Sequence, residues 1–237
     1  MARDDKLPST HSSATELQDF LKRVAATPVR TRAGERGRLI FALDATASRQ
    51  PSWDQACQLQ GEMFRETGTL GGLEIQLAYF RGFGDFQAGD WTTSSESLLK
   101  GMSGVYCLAG ETQIEKVLRH AVEETKKKRV NAVVFVGDSM EEDVDRLGAV
   151  AGELGLLGVP VFLFQEGNNV LAEFAFAQIA RLTGGVHCRF DADSAKMLRE
   201  LLSAVAVYAA GGRKALEDFA RGRSGAVLQI AHAMKRG

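Results

Sequence analysis

The sequence predicts an α/β protein, with a doubly wound, mostly parallel sheet of six strands, one antiparallel edge strand, and helices on both faces. Three observations carry that expectation. Two apolar runs, at 38–44 and 131–138, have strand length and end in Asp44 and Asp138, as buried central strands of a parallel sheet do when their carboxyl ends face a ligand crevice. Beyond residue 112, helical and strand-like stretches alternate, which favours parallel crossovers. The stretch 73–80 alternates apolar with mostly polar residues and runs into Gly82 and Gly84, which marks a strand turning into an edge hairpin. A chain of 237 residues accommodates one such domain with short appendages.

Taken in order, residues 1–37 read as a polar tail, an amphipathic helix and a linker. Ser13 and Glu16 have capping-box spacing, Leu17, Phe20, Leu21 and Val24 fall on one helical face, and Pro28 closes the helix. The domain proper is expected over 38–210. A strand at 38–44 leads to a helix at 52–68 that begins near Pro51 and is broken by Gly71 and Gly72. A strand at 73–80, a short strand at 86–91 and a short helix at 94–103 follow. Thr112 opens a helix to 128 whose basic end, Lys126 to Arg129, complements the helix dipole. The strand at 131–138, helix 141–156, strand 159–165, helix 170–183, strand 186–190 and helix 194–210 complete the alternation. Residues 211–237 read as a helical extension.

Composition excludes several functions. With 29 basic and 30 acidic residues the net charge is −1, so neither nucleic acid nor an anionic membrane is an expected partner. Cys57, Cys107 and Cys188 are odd in number and lack C-x-x-C spacing, which argues against a disulfide framework or a thiolate zinc site; they read as small core residues. The first residues lack the apolar core of a secretory signal, and the expected location is the cytoplasm. His11, His120, His187 and His232 show no ligand spacing, and Trp53 and Trp91 read as packing residues.

The candidate site begins where the first apolar run ends. Asp44, Thr46 and Ser48 place oxygen donors at alternate positions of one loop, a set that suits Mg²⁺, Mn²⁺ or Ca²⁺ and suits Zn²⁺ or Cu²⁺ poorly. By themselves these residues also fit a turn that caps the next helix.

With Thr112 at a helix start and Asp138 ending a buried strand, the pattern resembles the metal-ion-dependent adhesion site of von Willebrand factor A domains, whose motif is Asp-x-Ser-x-Ser, then a distant Thr, then a distant Asp. Thr46 replaces the middle serine and keeps its hydroxyl. The resemblance covers roughly 38–205 and is greatest to stand-alone intracellular bacterial members. It implies that Ser48, Thr46 and Thr112 meet the metal directly or through water, and that Asp44 and Asp138 do so mostly through water. It further implies that the metal takes a carboxylate from an Asp or Glu of a partner protein, with no chemical step. Family members of this kind work beside AAA+ ATPases or in stress-response complexes. Ser139 departs from the glycine common after the final Asp, and Glu111, Glu141, Glu142 and Asp143 are expected to crowd the rim.

Two other readings compete. One is a metal-free interaction scaffold. The other is a Mg²⁺-dependent phosphoryl hydrolase using Asp44, which the sequence supports less because Thr46 stands where such enzymes carry a second carboxylate. No P-loop, nucleophile elbow or complete G-x-G-x-x-G occurs.

Overall fold

The computed structural model describes residues 36–50, 73–190 and 203–210, together with Arg23, Ala215 and Asp218. The expected helices at 13–27, 52–68 and 213–234, the first part of the helix at 194–210, and His11, Trp53, Cys57 and His232 lie outside the described residues.

Six strands form one sheet: β1 (Gly37–Asp44), β2 (Leu73–Arg81), β3 (Asp85–Ala88), β4 (Ala132–Gly137), β5 (Val161–Glu166) and β6 (Val186–Phe190). Their order is β3-β2-β1-β4-β5-β6, and only the β2–β3 pair is antiparallel. The predicted fold class therefore holds. Successive strands run outward from β1 in both directions, so strand order reverses between β1 and β4, where an open α/β sheet leaves its crevice.

Every residue of β1 and β4 is buried, because both sheet faces are covered. Leu39, Phe41 and Leu43 point with Phe162 and Phe164 toward α1 (Ser95–Ser103) and the helical residues 203–210, where Tyr208 meets Phe162 edge-on. Ile40, Ala42, Val133 and Phe135 point toward the other layer, built from α2 (Ile114–Lys127), α3 (Val144–Leu156) and α4 (Val170–Thr183). Phe135 stacks on Phe80 at 6.1 Å and meets Phe176 of α4 edge-on at 5.5 Å.

The hairpin forms as predicted. Gly82 and Gly84 have φ of +56° and +87°, a conformation that side chains with a Cβ resist. The edge strand is shorter than expected, ending at Ala88, because the chain then leaves the ladder and Thr92 returns to bridge Ile75. The alternation of apolar and mostly polar residues in β2 fits a strand with one well-covered face. The strand has two, since Gln76 is also buried, donating to the Gly89 carbonyl and lying 2.8 Å from His120. Helix α4 spans 170–183 as expected, with Asn169 capping Ala172 and Gly184 in the left-handed conformation at its end. Among the described residues no helix is long and apolar enough to cross a membrane.

Candidate metal centre

Strand β1 delivers Asp44 to the crevice. Its register sets Leu43 opposite Val136, so Asp44 ends level with Gly137 and one residue short of Asp138. Gly137 is required here. A Cβ at that position would lie 2.8 Å from the Phe135 ring and 3.4 Å from the Asp44 Cβ, so only glycine lets β4 pass this close to the carboxylate.

Three of the sequence-predicted oxygens form one chain. The Thr46 amide donates to Asp44 Oδ1 at 2.8 Å, and the Thr46 and Ser48 hydroxyls lie 3.1 Å apart. Exposure rises along it: Asp44 is fully buried, Thr46 is nearly so, and Ser48 is exposed. The loop is pinned on its far side by the Ala45 amide on the Phe80 carbonyl and the Leu108 amide on the Ala45 carbonyl. Among the described residues the other carboxylate oxygen, Asp44 Oδ2, has no hydrogen-bond partner. A buried acceptor left without a donor is costly, and a cation or its water shell is the chemistry that would satisfy it. The residues present thus fit a hard divalent ion at this point.

Burial pushes the Asp44 carboxyl up to about 6, with the Thr46 hydrogen bonds and the Arg49 charge opposing the shift and the Asp138 charge adding to it. Asp138 is half-buried and accepts a long contact from Ser139 Oγ at 3.4 Å, so Ser139 adds a hydroxyl to this loop in place of a glycine. Among the described residues no three His, Cys, Asp or Glu side chains group as metal ligands, which leaves hydroxyls and two carboxylates as the donor set.

Thr112 differs from expectation in its surroundings. It precedes the helix by two residues, and Gln113 occupies the cap position without a capping side-chain bond. The Thr112 hydroxyl accepts from the Glu141 amide at 3.1 Å while the Thr112 amide donates to the Glu141 carboxylate at 3.0 Å. Glu142 caps the helix from another loop, its carboxylate accepting from the amides of Ile114 and Glu115 at 2.6 and 2.8 Å. Glu142 therefore does not crowd the rim as an unpaired charge. Its carboxyl is raised by burial, against the lowering effect of these bonds.

One residue at the crevice escaped the sequence reading. Arg49, only 1% exposed, closes the short 3-10 turn Ala47–Arg49 and pairs with Glu166 at the carboxyl end of β5. The signal was an arginine directly after the third donor, but its partner lies far along the chain. His187 faces Gln165 Oε1 at 3.0 Å and the Phe176 ring, and burial lowers it to about 4, with Arg189 and Arg23 contributing. Cys107 and Cys188 are half-buried and pack against the core.

Comparison with known proteins now places the fold. The sequence matches no family model and no curated protein. Solved structures do match. A von Willebrand factor type A protein from Catenulispora acidiphila superposes with a TM-score of 0.56 at 12% identity, over 73% of this chain and 43% of that one. The fold is that of von Willebrand factor A domains. The SpRpn10 VWA domain gives the same score and identity over 73% of this chain and 95% of its own length. Proximal thread matrix protein 1 from the mussel byssus gives 0.59 at 17%, covering 71% and 46%. The VWA-like chain described here thus spans less than half the length of the Catenulispora and mussel proteins it matches.

Proposed function

We propose that this VWA-like domain is a metal-dependent protein-binding module, in which Asp44, Thr46, Ser48, Thr112 and Asp138 hold Mg²⁺ or Mn²⁺ and the ion takes a carboxylate from a partner's Asp or Glu. The observation that carries the reading is Asp44 Oδ2, a buried acceptor without a donor at the inner end of a hydrogen-bonded line of hydroxyls that leads to the surface. Asp44 and Asp138 supply negative charge, and Thr46 and Ser48 supply neutral oxygens. A bound divalent ion would keep much of its charge for an anionic ligand. Thr112 joins the set once its hydroxyl is shared between Glu141 and the ion.

A protein partner is favoured over a small molecule by the rim. Leu108, whose backbone bridges Thr46, is 39% exposed, and Tyr106 and Phe83 beside it are 58% and 78% exposed. The Arg81 guanidinium lies 4.2 Å from the Tyr106 ring centroid. Tyrosine, arginine and large apolar groups are the residue types that anchor protein interfaces. The module works by binding, without a chemical step.

The test is calorimetric titration of Mg²⁺ and Mn²⁺ into the wild type and into Asp138→Ala, followed by pull-down from lysate with and without EDTA. Binding to the wild type, loss in the variant and an EDTA-sensitive partner are expected. Absence of binding to the wild type at millimolar metal would leave a metal-free scaffold.

A further inference from the structure

Arg49 is the largest fully buried side chain described, and it lies in the crevice where the ion would sit. Its backbone is fixed by the turn, the Arg49 amide donating to the Thr46 carbonyl at 3.1 Å. Its side chain ends on Glu166. In the strand order β1-β4-β5, a side chain that starts after β1 and ends at the tip of β5 passes over the carboxyl end of β4, a span of about 10 Å at ordinary strand spacing. Asp138 follows that end of β4, and the charges of both Asp44 and Asp138 act on the guanidinium. Among the described residues, Arg49 thus sets a buried cation between Glu166 on one side and the charges of Asp44 and Asp138 on the other.

Taking the metal reading above as its basis, we propose that Arg49 is the resident cation of this crevice, that a divalent ion binds there in competition with its charge, and that Glu166 sets the balance by drawing the guanidinium toward β5. The physical argument is direct. Arginine stays charged in proteins, so the positive charge cannot be shed when a metal arrives. In a partly dehydrated crevice, a fixed unit charge within several ångströms of a divalent ion costs more than a factor of ten in affinity. The pair with Glu166 compensates part of that charge and holds it on the β5 side, leaving Asp44 Oδ2 open. Without Glu166, the charges of Asp44 and Asp138 draw the guanidinium, and those are the carboxylates the ion requires. Arg49 and Glu166 thus oppose each other: one weakens metal binding and the other permits it.

The experiment is calorimetric Mg²⁺ and Mn²⁺ titration of the full chain as wild type, Arg49→Met and Glu166→Gln, with the metal-induced rise in melting temperature as a second readout. Arg49→Met should tighten metal binding at least about tenfold and Glu166→Gln should weaken it at least about tenfold. A residue that merely fills space would shift both variants in the same direction. Equal affinity in wild type and Arg49→Met would overturn the proposal while leaving the metal reading intact. Binding by Arg49→Met alone would uphold the proposal and remove metal binding from the wild type. No binding by any of the three would overturn both. Should Arg49→Met fail to fold, Glu166→Gln decides, and unchanged or tighter binding by it would overturn the proposal.

Discussion

Strand β1 buries one charged side chain near each end, and the two are treated in opposite ways. Near the amino end, Arg38 is 4% exposed and surrounded by counter-charges and an aromatic ring, although its Nε makes no hydrogen bond. Its Nε lies 3.3 Å from Glu74, its other nitrogens reach Glu124 and the Lys128 carbonyl, and its guanidinium sits 3.6 Å above the centre of the Trp91 ring. Glu124 is held in turn by Trp91 Nε1 at 2.7 Å and Lys127 at 2.8 Å. At the carboxyl end, Asp44 has one amide on one oxygen and nothing on the other. The difference teaches that this fold surrounds its buried arginine with opposite charges and leaves its buried carboxylate with one oxygen open, which is the feature the proposed metal site rests on.

The comparison can be broken most severely at Arg38. Replacing it with Met removes the buried counter-charge of Glu124 but leaves Trp91 and Lys127 on that carboxylate, so the cost should be about 2 to 3 kcal/mol. Denaturant unfolding of Arg38→Met should show that loss equally with and without Mg²⁺. A metal-dependent loss would mean that the two ends are coupled.

Asp44 should behave in the reverse sense. Its folded-state carboxyl is raised to about 6 from an ordinary value of 3.8, so its contribution to stability is complete below pH 3.8 and is lost as pH rises through 6. In metal-free protein, Asp44→Asn should therefore be more stable than wild type at pH 7 to 8, by up to roughly 3 kcal/mol, with the difference vanishing near pH 4. Mg²⁺ should narrow the gap by stabilising only the wild type. His187 acts oppositely within the same window. Lowered from 6.5 to about 4, it contributes stability above pH 6.5 that is lost as pH falls through 4. The wild-type profile hence hides both, and His187→Gln is needed to expose the Asp44 slope. A flat difference between Asp44→Asn and wild type from pH 4 to 8 would show that Asp44 is not destabilised by its burial.

The smallest effect is expected at Ser48. As an exposed hydroxyl on the outer end of the line, its replacement by Ala should change stability by less than about 0.5 kcal/mol. Metal affinity should nevertheless fall, and a change in melting temperature without a change in metal binding would make Ser48 a turn residue only.

What was readable in the sequence follows from the range of the forces involved. The strands β1 and β4 announced themselves because both faces are covered and the run between their ends is apolar, and helix 170–183 because its cap and its terminal glycine are local signals. Asp44, Thr46 and Ser48 were visible for the same reason, lying within five residues on one loop. The remainder depends on pairings between distant segments. Nothing near Arg49 indicates Glu166, nothing near Thr112 indicates Glu141, and Trp91 was read as packing without its Arg38 partner. Trp91 does pack, but as the floor of a charge network.

The cap that Glu142 places on α2 has a consequence for motion. The first turn of that helix owes two of its amide bonds to the loop after β4, so neither segment can open while the other stays closed. Exchange of the Ile114 and Glu115 amide hydrogens should therefore follow the opening of the loop that carries Asp138, so that the first turn of the helix and the loop are expected to open together.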